Sequence, residues 1–186
     1  MLSGRRLDLI DPSPLDVEIA DIAHGLARVA RWNGQTKGAE IFSVAQHSLL
    51  VEAIFSRLAP EAAYAEKLAA LLHDAPEYVI GDMISPFKAA IGADYKEVEH
   101  RLLAAIFIRF GLKPVMAPDL VKAIKAADRD SAFFEATELA GFAPGEAKRF
   151  FGAPRVALAD FADYLEPWRP EQAQARFFAR FVQLDA

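Results

Sequence analysis

The stretch that decides the fold reads Ser43-Val44-Ala45-Gln46-His47-Ser48-Leu49-Leu50-Val51-Glu52-Ala53-Ile54-Phe55-Ser56-Arg57-Leu58. Ser43 is a helix-capping residue type, Val44, His47, Val51, Phe55 and Leu58 recur at helical spacing, and Pro60 follows as a stop. The pattern predicts an amphipathic helix with a histidine in its core-facing stripe.

The same period continues on both sides. Ser13-Pro14 pairs a cap with proline at the first helical position, and Ile19, Ile22, Ala23, Leu26 and Ala30 predict a helix that ends near Trp32, before Asn33-Gly34. A helix from about Glu61 carries Leu68, Leu71 and Leu72 into His73-Asp74-Ala75-Pro76-Glu77, then yields at Gly81 to a short piece around Ser85-Pro86-Phe87-Lys88. Asp94 is expected to cap a helix with Val98, Leu102, Ile106 and Phe110 on one side, stopped by Gly111 and Pro114. From about Pro118 to Leu139, Leu120, Ile124, Asp128 and Ser131 share a face, so an aspartate stands where a leucine belongs. A last helix after Pro170 aligns Ala173, Phe177, Phe181 and Leu184, with Phe177 and Phe181 read as core or as a dimer contact. No strand alternation competes, so the expected fold is all-α, with about six or seven helices packed as one domain over residues 1–186.

Composition excludes several classes. The chain has 186 residues, 53% hydrophobic and 25% charged, a balance too apolar for disorder. Net charge is −5 and no Lys/Arg stripe occurs, which argues against duplex nucleic acid as a partner. With no cysteine there are no disulfides, thiolate metal sites or cysteine nucleophiles. Asp8 and Asp11 interrupt what a signal peptide would need after Arg5-Arg6, and no apolar run approaches a bilayer span. The expectation is a cytoplasmic protein without membrane contact.

Candidate chemistry rests on polar residues found at apolar positions. His47, the adjacent His73 and Asp74, and Asp128 lie on three separate predicted helices, and together offer two imidazoles and two carboxylates. Such a set suits one divalent ion that accepts N and O donors; Co, Mn, Mg, Fe and Zn all fit. The competing reading is that His47 is a satisfied core histidine and Asp128 pairs with a cation such as Arg129. A buried carboxylate without donors is costly, which weighs toward the ion.

In this order, on an all-helical chain, His47, His73-Asp74 and Asp128 resemble the HD-domain metal-dependent phosphohydrolases. Arg31-Trp32, Ser43 to Ser48, and His73-Asp74-Ala75-Pro76-Glu77 leading to Gly81-Asp82 and Pro86-Phe87-Lys88 are similar to the YfbR-type 5′-deoxynucleotidases. The resemblance covers about residues 19–139; residues 141–186 form a C-terminal extension outside it. It implies that His47, His73, Asp74 and Asp128 hold the ion and that phosphate is released from (deoxy)nucleoside 5′-monophosphates by attack of a metal-activated water. Asp74, Glu77 and Arg31 are the expected catalytic residues. If the helix continues through Pro76, Glu77 faces the same side as the ligands and can orient that water's proton. Arg31 is expected to clamp the phosphate, Trp32 to shape the nucleoside pocket, Asp82 to accept from a sugar hydroxyl and Lys88 to add positive charge. A homodimer is also implied.

Two departures bear on this. Ala75-Pro76-Glu77 stands where HD enzymes of cyclic dinucleotides and guanosine polyphosphates have Ile-Gly-Lys, and Gln46 stands where a glutamate is frequent. The alternatives kept open are an HD hydrolase of another phosphate ester, such as a nucleoside triphosphate, and a nucleotide- or metal-binding module without turnover. His24, one and two helical turns before Arg28 and Arg31, is read as a structural residue near the site rim, and His100 is given no function.

Overall fold

The computed structural model describes residues 1–84, 87, 90 and 92–185; Ser85, Pro86, Lys88, Ala89, Ile91 and Ala186 lie outside the described residues. Its α-helices are α1 (Ile19–Leu26), α2 (Val44–Leu58), α3 (Tyr64–Leu71), α4 (Glu77–Ile80), α5 (Ala93–Arg109), α6 (Pro118–Glu138), α7 (Pro144–Phe151) and α8 (Pro170–Leu184). Among the described residues there is no β-strand, as the periodicity predicts, and no helix is long and apolar enough to cross a membrane.

Helix α2 is the axis of the molecule. Ser43 caps it, its hydroxyl accepting from the Gln46 amide at 3.3 Å. The helix is buried on nearly every side, with Leu50, Val51 and Ile54 fully covered by α3, α6 and α8. Each such side chain contributes about 1.5–3 kcal/mol of hydrophobic stabilisation. Leu58, expected in the stripe, is instead an exposed last-turn residue.

The expected first helix is broken into three pieces. Pro14–Asp16 is a 3₁₀ turn capped by Ser13, Val17 and Glu18 are extended, and α1 ends at Leu26. Arg31–Gly34 forms a separate 3₁₀ turn in which Trp32 and Asn33 take left-handed conformations, with φ of 54° and 51°. The cause is tertiary: Arg31 N–H donates to Phe42 O at 2.8 Å and Val44 N–H to Val29 O at 3.0 Å, around an isolated antiparallel bridge between Ala30 and Ser43. These pairings outweigh continuation of the helix and fasten Arg31 to the start of α2.

Helix α3 also stops short, at Leu71, and His73 to Pro76 form turns before α4. Pro76 has no N–H to give Leu72 O and its ring crowds that carbonyl, so the helix cannot run through it, and Leu72 O accepts from Ala75 N at 3.0 Å instead. The condition under which Glu77 would share a helix face with His73 and Asp74 is therefore not met. Glu77 instead opens α4, which ends at Gly81 with φ of 77°. Gly92, not Asp94, is the N-cap of α5, and Asp94 sits in its first turn.

The C-terminal residues belong to the common core. Ala173, Phe177, Phe181 and Leu184 are buried against α1, α2 and α3, so Phe177 and Phe181 are core residues and not an exposed contact face. Gln46 fastens this segment. Its side-chain N–H groups donate to Tyr164 O at 2.8 Å and Glu166 O at 2.7 Å, and its Oε1 accepts from Trp168 N at 2.9 Å. A glutamate has no such pair of donors, which is a structural reason for glutamine before His47.

Candidate metal centre

Three chain segments bring the predicted ligands together. His47 descends from α2, Asp128 from α6, and His73 with Asp74 from the turn after α3. Metal-binding atoms of His47, His73 and Asp128 lie within 4.8 Å of one another. Asp74 Oδ2 is 3.3 Å from both His47 Nε2 and His73 Nε2, and Asp128 Oδ1 is 3.4 Å from His47 Nε2. All four predicted ligands thus converge, and the partner considered for Asp128, Arg129, is exposed.

The remaining nitrogen of each imidazole is occupied. His73 Nδ1 meets Ala70 O at 2.8 Å, and His47 Nδ1 meets Glu135 Oε1 at 2.6 Å. The Nε2 atoms of both histidines are buried and make no hydrogen bond. Two orphaned nitrogens facing two carboxylates are the donor set a divalent ion satisfies, so these residues fit one.

Electrostatics point the same way. Burial and Arg31 push the His47 imidazole down, but Glu135, Asp128 and Asp74 outweigh them and hold its pKa well above the ordinary value. Burial would raise Asp74, yet His73 and His47 keep it well below the usual carboxylate range, and Asp128 is lowered by His47 against burial and Asp74. Among the described residues, four carboxylates, Glu135, Asp82, Asp74 and Asp128, thus surround the permanent cation Arg31. The balance is made by protons on imidazole or by a metal ion.

Arg31 is only 15% exposed, with Nη1 3.3 Å from Asp82 Oδ2 and Nε 3.6 Å from Glu135 Oε2. Burial lowers its pKa, but Glu135 and Asp82 more than offset this, so the guanidinium stays charged. Trp32 donates its indole N–H to Glu135 Oε2 at 2.8 Å and packs edge-on against Phe142 and Phe151. Asp82 is therefore placed as the ion-pair partner of Arg31. Glu77 is 1% exposed at the head of α4. Lys88 lies outside the described residues. His24 is half-buried on α1, which ends before Arg28 and Arg31, so the helical spacing that would have aligned it with them is absent; His100 is exposed on α5.

The residue that sequence reasoning missed is Glu135. It is fully buried, and it continues the α6 face of Ile124, Asp128 and Ser131 by one more turn. Its Oε1 also accepts from Ser131 Oγ at 2.6 Å. Burial would raise its pKa, but His47 and Arg31 hold it well below the carboxylate range.

No family model matches the chain. Over 102 residues it is 37% identical to the uncharacterized protein YfdR of Escherichia coli (strain K12), an alignment covering 55% of this chain and 52% of that protein. It is 58% identical over 181 residues, 97% of this chain and 91% of the other, to the uncharacterized protein RCAP_rcc00048 of Rhodobacter capsulatus. At that identity and coverage, the chain belongs to the family of the Rhodobacter capsulatus protein.

Proposed function

We propose that this protein is a metal-dependent phosphohydrolase of the HD type, a phosphomonoesterase that releases phosphate from (deoxy)nucleoside 5′-monophosphates. The observation that carries the reading is the convergence of His47, His73 and Asp128 within 4.8 Å, joined by Asp74, with the buried Arg31 guanidinium tied to the same cluster through Glu135. The resemblance of the His47, His73-Asp74 and Asp128 order to HD enzymes adds the reaction class.

His47, His73, Asp74 and Asp128 would hold a divalent ion, which when bound would supply Lewis acidity and acidify a nearby water. Arg31 binds the phosphate oxygens and offsets charge that grows as phosphorus is attacked. Glu77, carried to the buried head of α4 by the turn after His73-Asp74, would take the proton of the attacking water; the new P–O bond would form as the ester P–O bond breaks, and that proton would pass to the departing nucleoside oxygen. Asp82 orients Arg31 and accepts from the sugar. The edge-to-face stack of Trp32, Phe142 and Phe151, extended into solvent by the exposed Phe150, favours a substrate bearing a base over a bare phosphate ester.

Phosphate release from a panel of ribo- and deoxyribonucleoside monophosphates tests this, using metal-stripped protein resupplied with single divalent ions. Turnover that requires both an ion and Asp74 is expected. Full metal-dependent turnover by Asp74→Ala, or silence across the panel with every ion, refutes it.

A further inference from the structure

Glu135 joins the two halves of the site. Oε1 receives His47 Nδ1 and Ser131 Oγ, both at 2.6 Å, while Oε2 receives Trp32 Nε1 at 2.8 Å and lies 3.6 Å from Arg31 Nε. These partners come from α2, from α6 itself and from the left-handed turn at Arg31–Gly34. An indole N–H and a guanidinium can only donate, so the carboxylate is the acceptor on that side. Oε1 likewise accepts from Ser131 Oγ, so across the 2.6 Å contact Glu135 meets His47 as an acceptor and Nδ1 is the nitrogen that carries the proton. Nε2 is then the atom directed toward Asp74 and Asp128.

We propose that Glu135 is the positioning residue of this site, setting the His47 tautomer and ring direction through one oxygen and the Trp32-Arg31 turn through the other. The proposal rests on the ion-binding reading above and gives Glu135 a role that reading does not assign. Outer carboxylates that orient metal-binding imidazoles are a general device. Here a single carboxylate also orients the group assigned to the phosphate. An amide cannot replace it, because its NH₂ must face either the His47 Nδ1 proton or the Trp32 and Arg31 donors. Where the amide faces His47, the imidazole must accept at Nδ1 and carry its proton on Nε2, where it blocks the ion.

Two measurements test this on the full chain. Isothermal titration of metal-stripped protein with Mn²⁺ is expected to show Glu135→Gln binding about 10–100-fold more weakly than wild type while still unfolding cooperatively. A purely structural Glu135 lowers stability and leaves affinity for Mn²⁺ unchanged in the folded variant, and that result overturns the proposal. ¹⁵N-resolved NMR of wild-type protein loaded with Zn²⁺ is expected to show His47 protonated on Nδ1 and coordinating through Nε2. Coordination through Nδ1 overturns the proposal even if Glu135→Gln fails to fold. Absence of Mn²⁺ and Zn²⁺ binding in wild type refutes the ion-binding reading together with the proposal, whereas unchanged affinity in Glu135→Gln refutes the positioning role alone.

Discussion

Gln46→Glu is the substitution that best separates packing from chemistry at the centre of the fold. Gln46 is fully buried, its amide N–H groups donate to Tyr164 O and Glu166 O, and its oxygen accepts from Trp168 N. A carboxylate there would face two carbonyl oxygens with no proton between them. The cheaper state is the neutral acid, whose one O–H satisfies a single carbonyl. Holding that proton at pH 7 against a free glutamate pKa of about 4.3 costs about 3.7 kcal/mol, and the orphaned carbonyl costs about 1 kcal/mol more. The expected loss is thus about 4–5 kcal/mol at pH 7, a large share of a stability that is typically about 5–15 kcal/mol. The sign of the pH dependence follows from the introduced carboxyl, whose folded-state pKa is raised. Its penalty is small below about pH 4.3 and grows as pH rises toward the folded-state value. Urea unfolding of wild type and variant at pH 7 and at pH 4.5, followed by circular dichroism, measures the difference. A loss below about 1 kcal/mol at pH 7, or one independent of pH, would show that the staple to the C-terminal segment is not what Gln46 provides. Altered Mn²⁺ affinity at unchanged stability would return Gln46 to a role in the charge balance of the metal centre.

Two further perturbations follow from the same structure. A Cβ at Gly25 would lie 2.8 Å from Tyr78 Cβ and 2.9 Å from Tyr78 O, so Gly25→Ala forces α1 away from α4. The overpacking outweighs the gain in helix propensity, and thermal unfolding is expected to show a net loss of about 1–2 kcal/mol; a stabilised variant would refute the close approach. Glu135 has its pKa held below its ordinary 4.5, so its contribution is present above pH 4.5 and is lost as pH falls toward the folded-state value. Unfolding free energy of metal-free protein is expected to decline below pH 4.5, more steeply in wild type than in Glu135→Gln, and equal slopes would contradict the assignment.

The ligands were legible because each violates a pattern. His47 and Asp128 stand at apolar positions of their helices, and His73-Asp74 follows the end of one; His47 is fully buried, and carboxylates crowded against it are costly without a cation or a proton between them. Glu135 violates nothing. A glutamate near the end of a long helix reads as a solvent-facing residue, and its distinction lies in a histidine, an arginine and a tryptophan from other segments. Its one mark in the sequence is the face Asp128, Ser131, Glu135, which extends the polar positions of that helix by one turn. The setting of Arg31 and Trp32 is tertiary: pairing of residues 29–31 with 42–44 replaces the expected helix end and rotates Trp32 into a left-handed turn. Glu77 shares a helix face with His73 and Asp74 only if the helix runs on through Pro76, and α3 ends before it, at Leu71.

The amino-acid pattern alone therefore determined the all-α class, most of the helices and the four residues that converge, because apolar periodicity and its exceptions are local properties of the chain. The tertiary structure decided which His47 nitrogen meets Glu135 and which faces Asp74 and Asp128, and that the segment beyond Gly141 is core, fastened by Gln46. Those outcomes depend on hydrogen bonds between groups far apart in sequence, and such partners are specified only when packing brings their donors and acceptors to about 3 Å.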